Sequence, residues 1–238
     1  MLPLFYFARP NSSLLRIKHT KPELKPLLKA CGNGSSELMS NISSSFVSML
    51  YNFQLMKYAG EDGIAAYGVL MYTWMIFGSV FVGYAIGTAP IISFHYGAEN
   101  YDELKGMLKK SVVLMFGGGI LMLCAAWTLS APLSHIFVGY DRELFELTKH
   151  AFRIFAFSFV MSGFNIFASS FFTALNNGAI SAAISFLRTL VFQMTAVLVL
   201  PLIFGIDGIW WAMIAAELFA LVISTIFIVS KRNRYHYF

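Results

Sequence analysis

The strongest constraint on this chain is a succession of six long apolar segments, separated by short loops that carry most of the charge. The segments lie at residues 35–58, 64–94, 110–133, 150–175, 179–204 and 208–230. An α-helix needs about 20 apolar residues to cross a hydrocarbon core about 30 Å thick. The sequence therefore predicts an all-α membrane protein with six transmembrane helices.

The composition also indicates that lipid is the main solvent. Of the 238 residues, 58% are hydrophobic and 12% are charged, whereas soluble domains carry about 25% charged residues. The sequence contains no H-E-x-x-H, G-x-S-x-G or Walker A motif and no Cys/His cluster. We therefore expect no enzyme, no catalytic residues, no metal site and no resident cofactor.

The basic residues predict how the chain is oriented. If the N-terminus is inside, all but four of the 17 Lys and Arg residues lie on the inner side. This favours a multi-pass plasma-membrane protein with both termini cytoplasmic, and it explains the net charge of +5 without a nucleic-acid partner. The predicted divisions are a cytoplasmic segment at 1–34, the six-helix bundle at 35–230 and a basic cytoplasmic tail at 231–238.

Two predicted helices carry polar residues every three or four positions, which places these residues on one face of each helix. In lipid such a face must contact other helices or water. Interhelical hydrogen bonds would explain either face, but we favour the wall of a water-filled cavity. The residues are Glu37, Asn41, Ser45, Ser48 and Asn52 in the first helix, and Ser162, Asn165 and Ser169 in the fourth.

Two carboxylates fall within the apolar segments. Glu37 begins the polar face of the first helix, and Glu217 lies nine residues, about 14 Å, into the last helix. A charge at this depth costs about 2.5–3.5 kcal/mol, so each carboxylate is a candidate for coupling to a proton or another cation. For Glu217 a neutral acid bonded to a serine or a backbone carbonyl explains the residue equally well.

Arg188 lies about ten residues into the fifth helix. We expect it to extend to the inner headgroups, because a pair with Glu217 would require the last two helices to be staggered.

A five-residue string, G-x-D-G-I, occurs twice. It begins at Gly60 and again at Gly205, each time in an outer loop before a helix. Glycine permits tight turns, and aspartate is favourable near a helix N-terminus. We interpret the two strings as matching turns rather than as a duplication.

Several strings resemble the multidrug and toxic compound extrusion (MATE) transporters, in their bacterial sodium-driven branch. They occur in the family's order over roughly residues 35–230. The matching strings are Glu37–Ser45, Ala59–Gly68, Gly87–Ala98, Ser170–Asn176, Ser185–Arg188 and Gly205–Glu217.

The resemblance implies that the chain is the second six-helix lobe of a twelve-helix antiporter. Residues Leu2–Ala8 then resemble the end of a preceding helix, and Glu37 matches the family's acidic residue on the first helix of this lobe. Some members place an Asp on the fourth helix, but this chain has none between Arg153 and Asn176.

The implied function is cation-coupled export of amphipathic drugs or toxins, driven by Na+ or H+. The implied cation-coupling residues are Glu37, Asn41 and Glu217, and the polar residues of the two faces would line the substrate cavity. Because one lobe has no opposite wall, we expect a partner, either an N-terminal lobe chain or a second copy. The alternatives are a truncated or split gene product that is inactive alone, and a non-transporting scaffold subunit.

Overall fold

The structure is a computed structural model that describes residues 23–237. The chain divides into two compact units, Met1–Cys31 and Gly32–Phe238. Of the first unit only residues 23–31 are described, so the predicted remnant of a preceding helix at Leu2–Ala8 lies outside the described residues. Apart from Cys31 and the first residues of the first helix, everything discussed below belongs to the second unit.

The described part of the chain is helical and contains no strand. Five helical stretches are long and apolar enough to cross a membrane, and the first is broken at Gly60. The prediction of an all-α membrane protein is confirmed, since each apolar segment lies in helix. The elements are α1 Leu24–Gly97, α2 Tyr101–Val138, α3 Arg142–Phe155, α4 Phe159–Ala174, α5 Gly178–Phe186, α6 Met194–Phe204 and α7 Ile206–Tyr235.

Two of the stretches contain short segments of different helical geometry. A 3₁₀ turn at Ala156–Ser158 joins α3 to α4, and a π-helix at Leu187–Gln193 joins α5 to α6. A π turn closes its hydrogen bonds over five residues rather than four. The side chains after it are therefore rotated relative to those before it.

The two G-x-D-G-I strings form the same turn. Gly60 has φ 62° and ψ −148°, and Gly205 has φ 59° and ψ −138°. A side chain is strained at such a positive φ, so glycine is the residue that fits both turns. Three residues later, Gly63 and Gly208 lie against the residue eight positions before them, Leu55 and Leu200. The prediction of matching turns is confirmed.

Helices α2 and α3 begin earlier than their apolar segments because polar side chains cap them. The Asn100 side chain accepts a hydrogen bond from the Glu103 amide, and the Asp141 carboxylate accepts from the amides of Glu143 and Leu144. These caps satisfy backbone donors that the first helical turn leaves free. The amphipathic first turns therefore extend beyond the apolar part of each helix.

Helix α4 lies at the centre of the lobe, where it packs against α2, α5 and α7. Its buried face is lined by phenylalanines, among them Phe167 and Phe171. Close approach to α2 depends on Gly119, since a Cβ there would lie 2.7 Å from the Val160 Cα. This packing leaves α4 no face that is fully open to the surroundings.

Candidate functional site

A buried ion pair lies in the middle of the lobe, between Arg188 of the π-helix and Glu217 of α7. The Arg188 Nε and Nη2 donate to Glu217 Oε1 over 3.0 and 2.7 Å. The Glu217 side chain is 2% exposed and that of Arg188 is 17% exposed. At this burial each charge requires the other, because an unpaired buried charge costs several kcal/mol.

A third residue, Asn165 of α4, completes this site. Its Nδ2 donates to Glu217 Oε2 over 2.7 Å and to the Glu217 backbone carbonyl over 3.0 Å. The amide is fully buried, and its Oδ1 has no hydrogen-bond partner among the described residues. Asn165, Arg188 and Glu217, here called the midplane triad, therefore connect three of the helical stretches through one carboxylate.

The prediction that Arg188 would not pair with Glu217 is wrong. The partners of the Glu217 side chain are Arg188 and Asn165 rather than a serine or a backbone carbonyl. The two helices are antiparallel neighbours, so residues near the middle of each reach the same depth without any stagger. The midplane triad takes the place of both interpretations. It does not test the predicted coupling role of Glu217, which stays a prediction.

The π-helix explains how α5 and α6 keep their polar side chains on one side. Ser181, Ser185, Arg188 and Gln193 are separated by four, three and five residues. The five-residue step falls in the π-helix, where one turn takes about that many residues. An analysis of the sequence that assumes 3.6 residues per turn throughout would place Gln193 on a different side of the helix from Arg188.

The polar face of α4 is occupied within the lobe. The Ser169 Oγ lies 2.9 Å from the Ser181 Oγ and 3.0 Å from the Ser185 Oγ, and the Thr173 Oγ1 lies 2.7 Å from the Ser181 Oγ. The Ser162 hydroxyl donates to the Ser158 carbonyl over 2.8 Å. The structure therefore places Ser162, Asn165 and Ser169 in contacts with α5, α7 or their own helix, and their role as a cavity wall stays a prediction.

The first part of the polar face of α1, at Asn41 and Ser45, is on the outside of the lobe. Asn41 and Ser45 are exposed, while Ser48 and Asn52 are half-buried. The Ser45 hydroxyl donates to the Asn41 carbonyl over 3.1 Å, within the same helix. The side of α1 that packs into the lobe is a different one, with Val47, Tyr51 and Leu55 fully buried.

Beside the polar face of α1 runs an exposed apolar face. It carries Phe46, Met49 and Phe53, which are more than half exposed. Because each lies one residue after a polar position, the two faces are adjacent along the helix. Glu37 lies in α1, but its side chain is outside the described residues, so its predicted role stays a prediction.

A small enclosed cavity separates α1 from the π-helix and α7. It leaves about 10 Å³ for the centre of a water molecule, and its lining includes Tyr51, Gln193, Trp210 and Met213. The Gln54 amide, on the same side of α1, donates to the Val197 carbonyl of α6 over 3.2 Å. Within the described residues no group of three or more His, Cys, Asp or Glu side chains could hold a metal ion.

Comparison with known proteins identifies relatives of this arrangement. The family model MatE matches residues 38–199. The multidrug export protein MepA of Staphylococcus aureus (strain bovine RF122 / ET3-1) is 22% identical over 235 residues, covering 97% of this chain and 51% of the relative. The probable multidrug resistance protein YoeA of Bacillus subtilis (strain 168) is 26% identical over 200 residues, covering 79% of this chain and 40% of the relative.

Solved structures share the fold. An outward-facing conformation of a multidrug resistance MATE family transporter of the MOP superfamily superimposes with a TM-score of 0.86 at 17% identity, covering 94% of this chain and 51% of that chain. The chain thus spans about half the length of the MepA relative and of this structure. The prediction that the fold is that of one lobe of such a transporter is confirmed.

Proposed function

Since the chain belongs to the MatE family, we propose that it supplies one six-helix lobe of a cation-coupled exporter of amphipathic drugs or toxins. The observation that supports this proposal best is the polar face of α1. Asn41 and Ser45 are exposed at the surface of a membrane lobe, and polar residues within a spanning segment face a bundle interior or a water-filled cavity rather than lipid. A water-filled cavity against a second lobe would provide such surroundings for this face.

The faces of α1 suit the proposed substrate class. An amphipathic organic cation needs polar groups for its charged end and apolar contacts for the rest. The polar face of α1 lies beside Phe46, Met49 and Phe53, which are exposed. Aromatic rings attract cations, and methionine adapts to differently shaped ligands.

A second lobe is required by this proposal. The chain covers about half of the MepA relative, and one lobe has no opposite wall. The partner is an N-terminal lobe chain or a second copy of this chain. In paired-lobe transporters, alternating access comes from rocking of one bundle against the other around a central site.

For coupling we assign Glu37 and Asn41 to the binding of Na+ or H+, since they are one helical turn apart on the polar face of α1. Glu217 can serve this purpose only when Arg188 leaves its carboxylate, because the guanidinium now occupies it. We also propose the plasma membrane as the location, with both termini cytoplasmic, as the basic residues favour.

The test is transport in vesicles. The chain is reconstituted alone, and also together with the N-terminal half of a MatE family member, and ethidium efflux is measured under a Na+ or a proton gradient. We expect gradient-driven efflux that is lost in Glu37→Gln and kept in the control Glu146→Gln, which changes an exposed carboxylate. Absence of efflux in every combination would contradict export and favour a scaffold role.

A further inference from the structure

The groups of the midplane triad differ in how freely they can move. The Glu217 side chain is 2% exposed and Asn165 is fully buried, whereas Arg188 keeps 17% of its side chain exposed. Arginine carries its charge on a long stem that can follow an apolar surface to water. If the ion pair opens, the guanidinium is therefore the group that leaves, and the carboxylate stays in place.

The segment that carries Arg188 has unusual geometry. Arg188 is the second residue of the π-helix Leu187–Gln193. Short π segments within α-helices are frequently found at functional sites, and their wider turn is a local departure from the α-helical hydrogen-bond pattern. A return of this segment to α-helical hydrogen bonding would rotate Arg188 away from α7 without moving Glu217 or Asn165.

Asn165 offers an oxygen that the lobe does not use. Its Oδ1 is buried with no hydrogen-bond partner among the described residues. The orientation of the amide is set by its Nδ2, which donates to both a side-chain and a backbone oxygen of Glu217. A buried oxygen without a hydrogen-bond partner is unfavourable, and an amide oxygen of this kind can act as a ligand for a cation.

Once the guanidinium has left, the Glu217 carboxylate would offer a site for a small cation, and the Asn165 side chain, with its unused oxygen, lies beside this carboxylate. The Glu217 carboxylate would then be unpaired, next to the Asn165 amide. Carboxylate and amide oxygens are the ligands that small hard cations prefer in proteins. The buried negative charge would also make a cation obligatory there.

We propose that Arg188 is a tethered cation that competes with Na+ for a receptor formed by Glu217 and Asn165. Guanidinium in the receptor fastens the π-helix to α4 and α7, and Na+ in the receptor releases it. The use of this exchange in transport rests on the proposed function. The competition itself is a property of this lobe and is measured without transport.

The test is thermal unfolding of the full chain in lipid nanodiscs, in Na+ or in choline. Arg188→Gln vacates the receptor, and Arg188→Gln with Glu217→Gln removes its charge as a matched control. We expect Na+ to stabilise Arg188→Gln most strongly. At a Na+ concentration ten times its Kd, the ratio of folded to unfolded protein should rise about tenfold in Arg188→Gln. It should rise less in the wild type, where Arg188 competes, and not at all in the double variant.

The other possible outcomes also support or overturn the proposed competition between Arg188 and Na+. Recovery of folded Arg188→Gln in Na+ but not in choline would support the proposal. Equal stability of Arg188→Gln in Na+ and choline would overturn it, as would a response of the same size in the double variant. Failure of both variants to fold would overturn it too, because Arg188 would then be needed for something other than the Glu217 charge. Loss of ethidium efflux with Na+ stabilisation intact would count against the proposed function alone.

Discussion

The polar faces of α1 and α4 look alike in the sequence but lie in opposite surroundings. Asn41 and Ser45 of α1 are exposed on the lobe surface, while Ser162 and Asn165 of α4 are fully buried. Helix α4 has neighbours on several sides, so its hydroxyls and amide find partners within the lobe. A periodic polar face thus predicts that a membrane helix avoids lipid on that side, and leaves open whether protein or water meets it.

The largest expected effect lies on the buried side. Glu217→Gln leaves the Arg188 charge without its partner, which should lower the free energy of unfolding by about 3–5 kcal/mol. The measurement is unfolding of the purified chain in detergent. The matched control is Glu146→Gln, which breaks the exposed pair with Lys149 (3.3 Å) and should cost about 0–1 kcal/mol. Equal losses would mean that the midplane triad does not carry the stability assigned to it.

Glycines inside and outside the lobe should also differ in how well they tolerate a side chain. Gly119→Ala places a Cβ 2.7 Å from the Val160 Cα, and overpacking of this kind costs about 1–3 kcal/mol. Gly87→Ala is the control, because no atom lies within 4 Å of its Cβ position. Unfolding should show a loss for the first variant and none for the second. A stable Gly119→Ala variant would show that α2 and α4 are not as closely packed as described.

Removal of a single serine hydroxyl has the smallest expected effect on stability. It also separates residues that stabilise the lobe from residues that act in transport. Ser169→Ala removes contacts to Ser181 and Ser185 and should cost about 0.6–2 kcal/mol. Ser45→Ala should change the free energy of unfolding by less than about 0.5 kcal/mol, since the exposed Ser45 hydroxyl donates to a carbonyl of its own helix. Ethidium efflux per folded molecule should fall in Ser45→Ala and not in Ser169→Ala. Lower efflux in Ser169→Ala, with unchanged efflux in Ser45→Ala, would contradict the distinction between the two polar faces.

Most of the fold could be predicted from the sequence, because length and hydropathy determine where helices cross a membrane. The prediction failed at helix ends, where hydropathy is a poor guide. Helix α2 begins at Tyr101 rather than near residue 110, and its first turn is polar and capped by Asn100. The turn chemistry of G-x-D-G-I was predictable, since positive φ at Gly60 and Gly205 follows from what glycine permits.

The candidate site was predicted only in part. Glu217 was identified as an unusual intramembrane charge, but its partner was missed. The partner could have been identified from the depth of each residue in the membrane. Arg188 is about ten residues from one membrane side and Glu217 about nine from the other. At about 1.5 Å per residue both lie near the centre of a core about 30 Å thick. The direction in which each polar face points could not be predicted, because it depends on which helices are neighbours.

The proposed function depends above all on one claim, that the polar face of α1 meets water. The direct test is labelling of single cysteines by a charged, membrane-impermeant thiol reagent, in membranes that contain the chain with its second lobe. The background carries Cys31→Ser and Cys124→Ser, since both thiols are exposed. Ser45→Cys should react, whereas Ser162→Cys on the buried face of α4 should not. An unreactive Ser45→Cys, sealed like Ser162→Cys, would contradict the claim.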